Sequence, residues 1–259
     1  MFSKIQFTLN AVSLVVVTLV GVGISHSSSA HSPRHSLTTQ TTISQLKSST
    51  TFTDITDVVG QTEIRQLAQL GVLETTSGQF KPQAPITRGQ FVAWLIKTYN
   101  ELHKKQILIP QNIRSAFPDV ASSHPHFNFI QAAYNAGFLA GFDDGNFRPD
   151  EILTREQMIA LKTSIDSTVR SSRSSDTLRN FIGKTKGFTD VEQISERYLP
   201  YIAFDLGNAA STINFIRVYG TTTRTYAPQK PVTRAEAAIL LSHFRKGGTV
   251  EQALKRRNR

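Results

Sequence analysis

Two short motifs occur three times, in the same order, along this chain of 259 residues. The first motif is an aromatic residue, any residue, aspartate and an aliphatic residue, and its copies begin at Phe52, Phe117 and Phe188. The second is an aromatic residue, any residue and proline, and its copies begin at Phe80, Phe147 and Tyr226. A unit of about 50 residues cannot bury its own apolar face, so the three units are expected to pack into one domain.

Each repeat contains the signals for two helices. Apolar residues at helical spacing follow the first motif and stop at a glycine, where the left-handed conformation is favoured. These glycines are Gly71, Gly137 and Gly207. The second helix is indicated by a capping box, Thr-x-x-Gln or Thr-x-x-Glu, whose side chains satisfy free backbone donors. The boxes begin at Thr87, Thr154 and Thr233.

These signals predict an all-α fold with little sheet, made of three helix-loop-helix repeats at residues 52–110, 117–170 and 188–246. The remaining segments have the composition of connectors. Residues 31–51 are rich in Ser and Thr and are expected to be a linker. Residues 171–187 form a basic segment that is interpreted as a linker, with an anion-binding insert as the alternative. Residues 247–259 are expected to be a frayed basic tail.

The first 30 residues predict a secretory signal peptide. They carry Lys4, then a mostly apolar run from Leu9 to Ile24, and they end in small residues at Ala30. The alternative is an uncleaved membrane anchor, but a spanning helix needs about 20 apolar residues. We therefore expect export to the cell envelope and no spanning segment in the mature chain.

The net charge limits the classes of partner that the chain is expected to bind. The chain has 29 Lys and Arg against 19 Asp and Glu, a formal net charge of +10. Nucleic acid, an anionic membrane surface and an acidic polysaccharide would each gain from such a field, and export makes nucleic acid the least suitable. The sequence shows no nucleophile elbow, phosphate loop or paired carboxylates, so no enzyme, catalytic residue or cofactor is predicted. His124 and His126 lack a third ligand at a recognisable spacing, so no metal site is predicted.

The repeats resemble the S-layer homology family. Thr233-Arg234-Ala235-Glu236 is that family's string at the start of the second helix, and the middle copy, from Gly137 through Gly141 to Pro149, is the most complete. The resemblance implies a pseudo-threefold helical unit that binds cell-wall polysaccharide, often through a pyruvylated amino sugar, in grooves between repeats. It further implies a module without catalysis that anchors or tethers an envelope component to acidic glycan linked to peptidoglycan.

The resemblance also supplies the candidate glycan-binding residues. They are Arg88, Arg155 and Arg234 after the capping threonines, Asp54, Asp119 and Asp190 of the first motif, and Gly137 and Gly141. Arg155 is expected to matter most, because its repeat also keeps Asp119 and both glycines. Glu74 of repeat one would repel an acidic ligand. Tyr198 stands where the family has an aromatic residue early in the first helix of repeat three.

An arginine directly after the capping threonine is electrostatically unfavourable, because the first turn of a helix already carries partial positive charge. A partner is therefore expected for each of them. One candidate is a ligand carboxylate held by the guanidinium fork, and the other is the aspartate of the same motif. Both stay open on sequence alone. A different function also stays open, namely a scaffold or accessory subunit whose basic surface docks a protein or an anionic lipid.

Overall fold

The structure, a computed structural model, describes residues 52–74, 78–111, 113–169, 171–208 and 214–259. The predicted signal peptide at 1–30 and linker at 31–51 lie outside the described residues. The described chain is mostly helical, and its α-helices are α1 (Gln61–Gln69), α2 (Arg88–Leu102), α3 (Phe127–Asn135), α4 (Arg155–Asp166), α5 (Ser175–Asn180), α6 (Leu199–Gly207), α7 (Asn214–Tyr219), α8 (Arg234–Leu241) and α9 (Val250–Arg257). Sheet in this part of the chain is confined to β1 (His243–Phe244) and β2 (Gly248–Thr249), which pair antiparallel. None of the described helices is long and apolar enough to cross a membrane.

The first helix of each repeat is present, and two of the three predicted stops are confirmed. Gly71 follows α1 with φ of 77°, and Gly137 follows α3 with φ of 76°, both in the left-handed region. Gly207 differs, because it is the last residue of α6 and has no positive φ. Repeat three therefore ends its first helix without a left-handed glycine, and α7 follows only a few residues later.

The second helices begin at the predicted threonines. The capping box is complete in repeat three, where Thr233 N–H donates to Glu236 Oε2 at 2.8 Å and Glu236 N–H donates to Thr233 Oγ1 at 3.2 Å. In repeat one, Thr87 Oγ1 accepts the Gln90 N–H at 3.3 Å. In repeat two, Gln157 Oε1 accepts the Thr154 N–H at 3.3 Å. The pattern therefore located all three helix starts.

Two predicted connectors are helical instead. The basic segment 171–187 contains α5 and a π-helix at Phe181–Thr185, and its Leu178 and Ile182 are buried. The expected tail contains α9, which buries Val250 and Ala253. Both predictions inferred a connector from the many basic and hydroxyl side chains. A few apolar residues at helical spacing instead pack these segments as helices. Residues 171–187 are called the insert from here on.

The repeats are joined by a closed cycle of backbone hydrogen bonds. Ile86 N–H donates to the Val232 carbonyl at 3.0 Å, Val232 N–H to the Leu153 carbonyl at 2.9 Å, and Leu153 N–H to the Ile86 carbonyl at 2.9 Å. Each of these residues precedes the second helix of its repeat. The cycle therefore brings the starts of α2, α4 and α8 together at one place in the domain.

The aromatic residues of the two motifs form matching pairs in the core. The ring centroids of Phe52 and Phe80 lie 5.3 Å apart, those of Phe117 and Phe147 lie 5.5 Å apart, and those of Phe188 and Tyr226 lie 5.6 Å apart. All six residues are buried. The repeated aromatic residues are therefore core residues, and burial of their rings stabilises the loops that they begin.

Candidate functional site

The aspartate of the first motif fixes the second motif of its own repeat. Asp119 accepts the N–H groups of Phe147 and Arg148 at 2.8 and 2.6 Å. Asp54 and Asp190 accept equivalent pairs of N–H groups, from Phe80 and Lys81 and from Tyr226 and Ala227, at 2.7 to 2.8 Å.

The turn that these aspartates hold is strained. Arg148 has φ of 62°, and Lys81 and Ala227 have φ of 58° and 49°, which residues with a side chain rarely adopt. Burial opposes ionisation of Asp54, but these two N–H donors, its own N–H and the charge of Arg234 together outweigh it and lower the pKa of that carboxyl. The candidate residues Asp54, Asp119 and Asp190 thus hold the turns of their repeats in place.

The arginine after each capping threonine reaches into a neighbouring repeat. Arg88 Nε donates to the Phe147 carbonyl at 3.1 Å, Arg155 Nη1 to the Tyr226 carbonyl at 2.8 Å, and Arg234 Nε to the Phe80 carbonyl at 2.7 Å. Among the described residues, no ion pair joins these arginines to the aspartates of the first motif. Each arginine therefore has a carbonyl across a repeat junction as its partner. Within the described part of the chain, none of the three pairs with the aspartate of a first motif, although one interpretation of the sequence expected this.

This crossing changes which candidate residues lie together. Gly141, in the loop of repeat two, lines a cavity with Arg88 of repeat one, and Arg155 does not take part in it. A side chain at Gly141 would place its Cβ 2.8 Å from the Asn146 carbonyl oxygen and from the Phe117 ring, so the loop needs a glycine there. Gly137 terminates α3 and does not line the cavity.

The Arg88 cavity lies where the three repeats meet. Its volume is about 170 Å³. Repeat one contributes Arg88, repeat two contributes the loop at Gly141 and one side of α4, and repeat three contributes residues at the start of α6. The polar and aromatic side chains that line it are Arg88, Phe142, Gln157, Arg197, Tyr198 and Tyr201, and no carboxylate is among its lining residues.

Positive charge is concentrated around the Phe142 ring. The guanidinium carbons of Arg88, Arg148 and Arg197 lie 4.6, 4.3 and 5.2 Å from its centroid. Arg148 pairs with Asp144 at 2.9 Å, whereas Arg197 lies 3.7 Å from the fully exposed Asp143 side chain. The pair at Asp143 is weak because water screens an exposed carboxylate.

The cavity places Arg88 under electrostatic stress. Burial is the main cause that lowers the pKa of Arg88 to about 10; Tyr198 and Glu151 oppose this shift, and repulsion by Arg197 and Arg148 adds to it. Burial also raises the pKa of Tyr198, against the influence of Arg88 and Arg197. A bound anion would add negative charge beside this buried guanidinium and so favour its charged form.

The other two arginines meet groups of the chain itself. Arg155 is buried, its guanidinium lies 3.7 Å from the Tyr219 ring centroid, and its Nη2 lies 3.9 Å from Glu236 Oε1. Arg234 lies over the rings of Phe80 and Trp94, at 4.9 and 4.8 Å. Repeat three supplies these contacts of Arg155 and repeat one those of Arg234, which is only partly buried.

Glu74 is the internal acid of repeat one. It accepts from Trp94 Nε1 at 3.0 Å and from Lys97 Nζ at 3.2 Å, and its charge also favours the charged form of Arg234. Three donors or cations are therefore directed at one carboxylate of the chain. In repeat one, a carboxylate of the chain itself therefore already interacts with Trp94, Lys97 and Arg234.

Sequence reasoning missed two residues of the Arg88 cavity, Phe142 and Arg197. Arg197 Nη2 donates to the Gly141 carbonyl at 2.9 Å, so it closes the cavity from repeat three. Its position next to Tyr198, which the family pattern did single out, is the available signal. Phe142 directly follows Gly141, and only the packing of three arginines around its ring shows its importance.

The fold and the cavity define a helical repeat protein with an arginine-lined cavity between its repeats. The model of the S-layer homology domain matches residues 51–92, 116–159 and 218–238. The chain belongs to the S-layer homology family, whose domains are non-catalytic modules that bind cell-wall polymers.

Similar proteins include large enzymes. The chain is 32% identical over 197 residues to an exoglucanase, XynX, of Acetivibrio thermocellus, a match that covers 76% of this chain and 16% of the relative. It is 31% identical over 192 residues to an amylopullulanase of Thermoanaerobacterium thermosulfurigenes, which covers 74% of this chain and 9% of the relative. The chain thus spans a small part of the length of these relatives.

Proposed function

We propose that this chain binds an acidic polysaccharide linked to peptidoglycan and so anchors or tethers a component of the cell envelope. The Arg88 cavity carries the proposal, because it combines a buried, carbonyl-oriented guanidinium with aromatic walls and lacks a carboxylate in its lining. Membership of the S-layer homology family supports the class of ligand. The basic net charge of the chain, +10, favours an anionic polymer over a neutral one.

The proposed contact is with a carboxylate, such as a pyruvyl group on an amino sugar. Arg88 Nε donates to the Phe147 carbonyl, and the guanidinium also hydrogen-bonds the Tyr198 side chain, so a ligand would take the remaining terminal N–H groups. A guanidinium donates to both oxygens of a carboxylate in one plane. A volume of about 170 Å³ suits one such group or part of one sugar, since cavities for whole drug-sized ligands span roughly 300 to 1,000 Å³.

The three repeats are proposed to form a pseudo-threefold unit. Equivalent contacts in all three copies support this arrangement, namely the closed cycle through Ile86, Leu153 and Val232 and the carbonyl contacts of the three arginines. The ligand-binding role is not equivalent in the three copies. Arg88 and Gly141 are proposed to contact the glycan, whereas the other candidate residues are proposed to hold the repeats and turns in place: Arg155, Arg234, Asp54, Asp119, Asp190 and Gly137.

The test compares two arginines with the same structural contact. Purified protein is sedimented with protein-free peptidoglycan sacculi, before and after the wall polysaccharide is stripped. Arg88→Ala is expected to weaken binding roughly 10- to 100-fold, because a charge-assisted hydrogen bond to the ligand is lost. Arg88→Lys should recover only part, because an ammonium cannot make the paired fork.

Arg155→Ala is the matched control. It removes the same kind of carbonyl contact across a junction, so a similar loss of stability is expected, but it should leave sacculus binding within about twofold if only Arg88 faces the ligand. Equal loss of binding in both variants would assign the arginines to structure alone. Undiminished binding of the wild type to stripped sacculi would favour docking to a protein or to peptidoglycan itself.

A further inference from the structure

A second cavity lies between the insert and α6, on the side of α6 away from the Arg88 cavity. Its volume is about 510 Å³. Its apolar walls include Leu178, Phe181, Pro200 and Phe204, and polar side chains at its edge are Ser171, Ser172, Arg173 and Asn208. The insert does not belong to the repeat motifs, and the matches to the family model end at residue 159 and resume at 218. This space is called the insert cavity.

One cation lines the insert cavity, and two more lie beside aromatic rings of its wall. Arg173 lines it and is exposed. Lys186 Nζ lies 5.3 Å from the centroid of the Phe181 ring, and the Arg245 guanidinium lies 5.3 Å from that of Phe204. None of the ion pairs between described residues includes Arg173, Lys186 or Arg245, and no carboxylate lines the cavity. Charge complementarity therefore calls for an anionic occupant.

The mixed lining argues for a carbohydrate. Phe181 and Phe204 are half-buried, and hydroxyl and amide groups stand beside them. A sugar ring has an apolar C–H face for an aromatic side chain and a rim of hydroxyls for hydrogen bonds. An acyl chain would use only the apolar walls and none of the hydroxyl and amide groups that line the cavity.

The two cavities are close along one helix. Tyr198 and Tyr201 line the Arg88 cavity, and Pro200 and Phe204 line the insert cavity. A ligand that occupies both must cross α6, and a helix with its side chains is about 10 Å wide. One polymer strand of a few sugars can do this, and its second contact would then form at a high effective concentration.

We propose that the insert cavity is a second site for an acidic oligosaccharide, and that one strand of polymer occupies it together with the Arg88 cavity. For the identity of the polymer this inference rests on the proposed function. The location of the proposed site rests only on the insert, α6 and the cations beside the cavity. The insert then gives this chain an avidity for long glycan strands that the Arg88 cavity alone lacks.

The experiment uses charge reversal at two positions of the insert. Arg173→Glu reverses a charge that lines the cavity, and Lys184→Glu makes the same change at an exposed position of the insert outside it. The probes are acidic polysaccharide released from sacculi and divided by size into fragments of one or two sugars and fragments of six or more. Affinity is measured by titration calorimetry with the full chain, beside thermal unfolding of each variant.

Arg173→Glu is expected to weaken binding of the long fragments by on the order of tenfold, because a second linked contact is lost. Arg173→Glu should change the affinity of the Arg88 cavity for short fragments by less than about twofold, since a fragment of one or two sugars cannot reach both cavities at once. Lys184→Glu should change the affinity for long fragments by less than about twofold, because an exposed charge outside the cavity is screened.

The outcomes separate the two proposals. If Arg173→Glu and Lys184→Glu bind long fragments alike, the insert cavity is not a glycan site, while the Arg88 cavity keeps its role. If the wild type binds neither size of fragment, the proposed function itself fails. Binding to stripped peptidoglycan that depends on Arg173 would overturn the glycan assignment in favour of a wall peptide.

Discussion

Asp119 shows how a single carboxylate can hold a loop in a conformation that its own residues resist. It receives two backbone N–H groups, and the second of them belongs to Arg148, whose φ of 62° is unfavourable for a residue with a Cβ atom. The same arrangement at Asp54 and Asp190 explains why the first motif requires an aspartate at a fixed position. The carboxylate satisfies two donors that the turn would otherwise leave unpaired.

Asp119→Ala is therefore expected to lower the free energy of unfolding by about 2 kcal/mol, because two charge-assisted hydrogen bonds are lost. Urea unfolding followed by circular dichroism measures the change. Asp143→Ala is the control, since the Asp143 side chain is fully exposed, and it should alter stability by less than about 0.5 kcal/mol. If Asp119→Ala keeps wild-type stability but loses sacculus binding, the aspartate contacts the ligand instead.

At the residue scale, the sequence singled out the repeated residues but did not show which of them lie together. Position in the repeat singled out Arg88, Arg155 and Arg234, and the dipole argument correctly asked for a partner. It could not show that the partner is a carbonyl of the neighbouring repeat, because that depends on how the repeats pack. The sequence favoured Arg155 because its repeat keeps Asp119 and both glycines, whereas in the structure Gly141 lines a cavity with Arg88 of repeat one.

At the scale of elements, helix starts were predictable and the insert was not. Capping boxes are local, so Thr87, Thr154 and Thr233 marked α2, α4 and α8 from sequence alone. The insert has a basic, hydroxyl-rich composition, which is typical of a linker. Its helices depend on Leu178 and Ile182, which are spaced four residues apart and are 5% and 0% exposed. Two such residues are too few for periodicity to be recognised in a short segment.

Ile182→Ala should consequently lower the free energy of unfolding by about 2 to 4 kcal/mol, because it leaves a cavity under the π-helix of the insert. The measurement is the urea midpoint of the full chain. Lys184→Ala, two residues further on and exposed, should shift stability by less than about 0.5 kcal/mol. A linker without packing would make the two variants equally stable, which would contradict the helical insert.

At the scale of the whole molecule, the repeats depend on one another in a closed cycle. A linear array of repeats contacts only its neighbours and tolerates loss of an end unit. Here Val232 of repeat three receives the Ile86 N–H and donates to Leu153, so repeat three connects the other two. The Arg88 cavity is also completed by Arg197 and Tyr198 of repeat three. We therefore expect the fold and the proposed function to need all three repeats together.

A fragment of residues 52–187, which lacks repeat three, is accordingly expected not to fold cooperatively. It would lose the Val232 links and the Tyr226 carbonyl that binds Arg155, and it would expose the core face of α4. Trp94 is the single tryptophan and is fully buried, so its fluorescence reports the core directly. In urea the fragment should show a gradual change of fluorescence, whereas a chain of residues 52–259 should show one sharp transition. A sharp transition in the shorter fragment, with the tryptophan spectrum of the longer one, would mean that the repeats stack as an open array and would contradict the proposed pseudo-threefold unit.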